Sequence, residues 1–222
     1  MSKSAAPSPH YIPALGYHWL TPHYDAVVGK TTRERVFKRA LIEQACLEPG
    51  HQVLDLAAGT GTQTIWLKQS QPKASITGVD GDATILLLAQ SKAQRAKVSV
   101  QFDRALSYAL PYPVAQFDRV VSSLFFHHLS WADKQRTARE LFRVLKPGGE
   151  LHIADWGRAT NLGMRALFVS IQLFDGFRNT QDNASGRLVE LFEHAGFSYV
   201  VKRQTFSTMY GTMALYSAVK PL

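Results

Sequence analysis

The sequence predicts an α/β fold with a doubly wound, mostly parallel seven-stranded sheet and helices on both of its faces. Three observations carry this. From residue 31 onward, short β-branched apolar runs alternate with stretches of helical period, the pattern of a parallel sheet wound by crossover helices. The first of these runs, VLDLAAGTG at 53–61, passes from a buried strand through a small-residue turn into a helix opening near Thr62. The chain closes on two β-rich runs separated by a few residues near Gly211, the mark of an antiparallel hairpin.

Taken in order, residues 1–10 are rich in Ser, Ala and Pro and lack any period, which predicts a tail without a core. Residues 11–30 mix Tyr11, Tyr17, Trp19 and Tyr24 with turn formers and read as a lid arm on a single domain at 31–222. TTRERVFKRALIEQA at 31–45 is a helix. Strands follow at 53–58, 74–80, 98–103, 117–126 and 150–156. A helix at 131–146 carries a capping-box spacing at Ser130 and Asp133, and Pro147-Gly148-Gly149 ends it. Residues 157–185 form an insertion, a helix at 186–195 places Leu188, Leu191, Phe192 and Ala195 on one face, and the hairpin occupies 197–206 and 212–220.

Composition narrows the function classes. Of 222 residues 45% are apolar and 19% charged, enough for one water-excluding core. The net charge of +8 is scattered, with no block of like charge, so no nucleic-acid partner is expected. A single cysteine, Cys46, excludes an intramolecular disulfide and any cysteine-based zinc set. No apolar run approaches the roughly 20 residues that span a bilayer, and Met1–His10 lack the apolar core of a secretory signal. The expectation is a cytoplasmic protein, monomeric or homodimeric, without stable membrane insertion and without a metal.

A ligand site is expected where the first two strands end. Asp55 precedes Ala57, Gly59 and Gly61, whereas a dinucleotide fold reads G-x-G-x-x-G. A carboxylate there repels a diphosphate and suits a ligand ammonium. Nineteen residues after Gly61 stands Asp80, the last residue of SITGVD and the expected partner of ribose hydroxyls.

These segments, with LPY at 110–112, FDRVVSSLFFHHL, ELFRVLKPGGELHIADW and AGF at 195–197, resemble the class I S-adenosylmethionine-dependent methyltransferases, and are similar to the ubiquinone/menaquinone-biosynthesis C-methyltransferases. The resemblance runs from about Tyr24 to the end. It implies a Rossmann-like fold and S-adenosylmethionine as methyl donor, leaving S-adenosylhomocysteine. It places Asp55, Ala57, Gly59 and Gly61 around the methionine part, Asp80 at the ribose and Ser123 as a backbone contact; Gly81, and Tyr24 from the arm facing the sulfonium or the acceptor, are further cofactor candidates. Two positions depart from the family. Ala57 replaces a glycine, a small-for-small exchange expected to be tolerated. Ala105-Leu106-Ser107 stands where the family has Gly-Asp-Ala, so Leu106 replaces the acid that holds the adenine. Either Asp103 substitutes, or backbone groups and packing hold the base; the second is favoured.

Methyl transfer is an in-line displacement, so alignment and exclusion of water do most of the work, and a base is optional. His127 and His128 follow strand four, where the methyl donor is expected. His127 reads as base or acceptor contact and His128 as holding the turn. Asp155, ending strand five, either touches the acceptor or caps the next segment. The insertion 157–185 is read as a cap, with Phe168 walling an acceptor pocket and Arg165, Arg178 and Asp182 as polar contacts; Tyr17 and Trp19 from the arm are further substrate candidates. The acceptor is expected to be a small, fairly apolar molecule, its accepting atom (O, C, N or S) open. The competing readings are an RNA or protein methyltransferase, a non-catalytic nucleoside-binding protein of the same fold, and, less well supported, a nicotinamide-dependent oxidoreductase.

Overall fold

The computed structural model describes residues 33–222, so the tail and arm, with Tyr17, Trp19 and Tyr24, lie outside the described residues. Strand β1 (Gln52–Leu56) lies inside the sheet because its residues are apolar on both sides: Val53 faces one core, while Leu54 and Leu56 face the other. The sheet continues through β2 (Ser75–Asp80), β3 (Gln101–Arg104), β4 (Phe117–Ser123), β5 (Leu145–Trp156), β6 (Ser198–Thr208) and β7 (Gly211–Val219), in the order β3-β2-β1-β4-β5-β7-β6. The first five strands pair in parallel, and β7 runs antiparallel to both β5 and β6. This is the expected seven-stranded doubly wound sheet.

Helices α1 (Glu34–Gln44) and α2 (Thr62–Ser70) cover one face, through Phe37, Leu41 and Leu67. On the other, α4 (Trp131–Val144) and α7 (Leu188–His194) bury Ala138, Leu141, Leu188 and Phe192. Helix α3 (Ala83–Arg95) packs beside β2 and β3. The insertion forms two helices, α5 (Leu162–Asp175) and α6 (Phe177–Ser185), broken at Gly176 where φ is +85°.

Element ends differ from the sequence expectation for local reasons. Strand β4 stops at Ser123 instead of 126, because Leu124 turns to φ +56° and Phe126–His128 wind into a 3₁₀ turn. Strand β5 begins at Leu145, since Leu145 pairs with Phe117 ahead of a register shift, with Gly148 at φ +75° in the irregular stretch between. Strand β3 begins at Gln101 rather than 98, because the Val98 amide still closes onto the Ala93 carbonyl of α3.

The strand order reverses between β1 and β4, and the C-terminal ends of those strands therefore diverge into a crevice. Gly61 shapes its floor from behind. It holds φ +77°, and a Cβ there would lie 2.9 Å from the Ala89 Cβ and 3.0 Å from the Phe102 ring. Gly61→Ala is expected to cost about 2–4 kcal/mol, combining left-handed strain with overpacking. Urea unfolding checks this; a loss within experimental error would mean that α3 moves away freely.

Candidate functional site

A single cleft collects most of the expected cofactor residues. Asp55, Ala57, Gly59, Asp80, Gly81, Ala105, Leu106 and Ser123 all line it, from the ends of β1, β2 and β4 and the loop after β3. Asp55 is buried. Its Oδ1 accepts from Gln63 Nε2 at 2.7 Å and its Oδ2 from Thr64 Oγ1 at 2.6 Å. Burial pushes its carboxyl up to about 6, the two hydrogen bonds and Lys38 opposing and Asp80 adding to the rise. Asp80 is fixed by the backbone amides of Gly59 (2.9 Å) and Asp82 (3.0 Å), and burial likewise raises its pKa against those bonds.

The turn after β1 is built for close approach. Gly59, at φ +54°, has open space where a side chain would be, and Ala57 sits at φ +56°. The family's glycine at the Ala57 position thus has a backbone reason, and alanine there carries roughly 1–2 kcal/mol of strain, more than a small-for-small exchange suggests. Gly61 faces Ala89 and Phe102 and is a packing residue behind the cleft.

Sequence pattern alone misses three cleft groups. Glu34 and Lys38 of α1 form an ion pair that lines the cleft. Gln63 also lines it, and its Oε1 is buried with no hydrogen-bond partner. An orphaned acceptor beside a carboxylate fits a ligand ammonium, and Lys38 offers a cation to a ligand carboxylate. Asp103 is no substitute for the missing adenine acid: its carboxylate takes the Tyr112 hydroxyl and the Gln101 amide. Ala105, Leu106 and Ser107 line the cleft.

On the far wall, it is the second of the two histidines that faces the cleft. His128 lines the cleft, and burial together with His127 pushes its imidazole down to about 3, so it is neutral across the physiological range. His127 turns inward, its Nδ1 2.7 Å from Asp155 Oδ1. Asp155 is fully buried and also accepts from the backbone amides of Phe125 and Trp156, so it holds the post-β4 turn. Phe168 packs into the core against Trp156 and Gly211, Arg165 bonds Gln172, and Arg178 is exposed; none of these lines the cleft. Asp182 is taken by Lys134 and Arg187. Helix α6 does reach the site, through Asn179 Nδ2 donating to the His128 carbonyl at 3.0 Å. Among the described residues no group of three or more metal-ligating side chains occurs, and no helix is long and apolar enough to cross a membrane.

Residues 53–149 match the model of a family described as a methyltransferase domain. An uncharacterised methyltransferase of Synechocystis is 30% identical over 175 residues, taking in 76% of this chain and 77% of that protein. The chain belongs to the class I S-adenosylmethionine-dependent methyltransferases. A demethylmenaquinone methyltransferase of Deinococcus radiodurans is 34% identical over 62% of this methyltransferase and 57% of its own length. With several such relatives the matched part is about half of theirs, 47–57%. A [4+2]-cyclase superimposes with a TM-score of 0.72 at 20% identity, covering 91% of this chain and 93% of that one. At that identity the likeness speaks for the fold alone, and the same architecture carries a different reaction there.

Proposed function

We propose that this methyltransferase moves a methyl group from S-adenosylmethionine to a small apolar acceptor of the hydroquinone kind, at a ring carbon. The observation that carries the reading is the pairing of buried Asp55 with Asp80 on one cleft, beside the orphaned Gln63 Oε1. The named quinone-pathway relatives support the acceptor class.

When bound, the cofactor supplies an electrophilic methyl on a sulfonium. Ionised Asp55 and Gln63 would receive its ammonium, Lys38 its carboxylate, and Asp80 its ribose hydroxyls. Ala105, Leu106 and Ser107 would hold the adenine through backbone and apolar contact. On the acceptor side, Leu124, Phe125 and Leu129 give an apolar wall, and neutral His128 would hydrogen-bond a ring hydroxyl to orient the ring. Helix α6, through Asn179, would support the acceptor end of the cleft.

Calorimetric titration with S-adenosylmethionine and S-adenosylhomocysteine tests the cofactor assignment. Asp80→Ala is expected to weaken both by about 1.5–3 kcal/mol, the range for hydrogen bonds to a charged group. Equal affinity in the variant would remove Asp80 from the site. Failure of the wild type to bind either ligand would overturn the proposal.

A further inference from the structure

Helix α5 is apolar on its outer face as well as on the inner one, where Phe168 packs into the core. Its stripe Leu162, Ala166, Val169 and Leu173, at i, i+4, i+7 and i+11, is exposed, Leu162 by 88% and Leu173 by 71%. Its polar Gln172 is fully buried. Exposed Leu167 lies beside the stripe, and exposed Phe177 extends it onto α6. Among the described residues nothing covers this face, and a contiguous apolar stripe on water marks an interaction site.

Charge decides the occupant. Between 158 and 178 the sequence has three arginines to one aspartate, Arg158 and Arg178 are exposed, and the whole chain carries +8. Pairing with a second copy through the same patch would bring like charges together. An anionic bilayer surface satisfies both features, taking the apolar stripe at the acyl boundary and the arginines at the headgroups. We infer that α5 and the start of α6 dock this protein on anionic phospholipid membranes. Helix α6 is bonded to the His128 turn, so docking would set the acceptor end of the cleft beside the bilayer. Docking stands on the surface itself; only the delivery of an apolar acceptor from the membrane rests on the proposed function.

The test is co-sedimentation of the full chain with phosphatidylglycerol–phosphatidylcholine vesicles, against phosphatidylcholine alone, at low and at high salt. Expected are binding to the anionic vesicles that weakens with salt, and a fall of roughly ten-fold or more in Leu162→Asp/Leu173→Asp. Both side chains are exposed, and the double variant should keep the wild-type affinity for S-adenosylmethionine, which verifies its fold. No binding at low salt, or equal binding by the double variant, overturns the inference. So does a wild-type dimer in light scattering that the double variant dissolves, which would give the face to a second copy. Vesicle binding without cofactor binding would sink the proposed function and leave the docking intact; the reverse result would do the opposite.

Discussion

Asp55→Asn is expected to lower affinity for S-adenosylmethionine by roughly 100-fold while leaving the ligand-free protein more stable than wild type at neutral pH. The two effects share one cause. Burial lifts the folded-state pKa of Asp55 from 3.8 to about 6. A carboxyl whose pKa rises on folding binds its proton more tightly in the native state. Its contribution is therefore fully present below about pH 4 and is lost as pH rises through about 6. At neutral pH the wild type carries an ionised, desolvated group at a cost bounded by about 3 kcal/mol. Asparagine removes the charge but keeps only one oxygen for Gln63 and Thr64, so the net gain is expected near 1–2 kcal/mol. Binding runs the other way, because the ligand ammonium requires the ionised carboxylate. Wild-type affinity should fall as pH drops from neutral to about 5, and Asp55→Asn should lose that pH dependence. Paired calorimetry and urea unfolding at the two pH values decide it. A variant that loses both stability and binding would mean that Asp55 is chiefly a structural anchor for α2.

The acids at the strand ends were legible because nothing else explains them. A carboxylate inside VLDLAA or at the end of SITGVD has no packing reason to be there, and both lie on the cleft. The sheet was legible for a similar reason: Val53 and Leu54, or Val120 and Val121, supply apolar groups to opposite cores at a period of two. What stayed hidden depends on direction in space. Glu34 and Lys38 stand four apart on a helix, the pattern of a solvated ion pair, and only the packing of Phe37 and Leu41 beneath the sheet turns them to the cleft. His127 and His128 are neighbours in sequence, and the 3₁₀ turn alone decides which faces Asp155. Helical period identified Phe168 as belonging to an apolar face, but not that Trp156 and β7 lie behind it. Lys134 is fully buried against Asp182 and the Asn179 carbonyl, a burial that no motif in its helix announces.

Asp155→Asn should be among the most destabilising single-atom exchanges in the chain. Asp155 Oδ1 faces His127 Nδ1 and the Trp156 amide, both at 2.7 Å, while Oδ2 faces the amides of Phe125 at 3.1 Å and His127 at 3.4 Å. Each oxygen thus meets two donors. An asparagine can turn its oxygen to only one pair, and its NH₂ then points at the other. Burial would raise the carboxyl's pKa, but the His127 imidazole and these hydrogen bonds outweigh it and hold it below the usual carboxylate range. A depressed carboxyl contributes stability above the unfolded-state pKa and loses it as pH falls through the lower native value. At neutral pH the contribution is therefore complete, and removing it is expected to cost about 3–5 kcal/mol, as for other broken buried pairs. The difference between wild type and variant should shrink in strong acid, which urea midpoints across pH will measure. Because the same carboxylate fixes Phe125 and His127, it also fixes His128, the one histidine on the cleft among the described residues. The variant should therefore lose methyl transfer more than cofactor binding, since Asp55 and Asp80 hang from β1 and β2, on the other side of the switch in strand order. Equal losses in both would mean that the turn after β4 supports the whole cleft instead of its acceptor side alone.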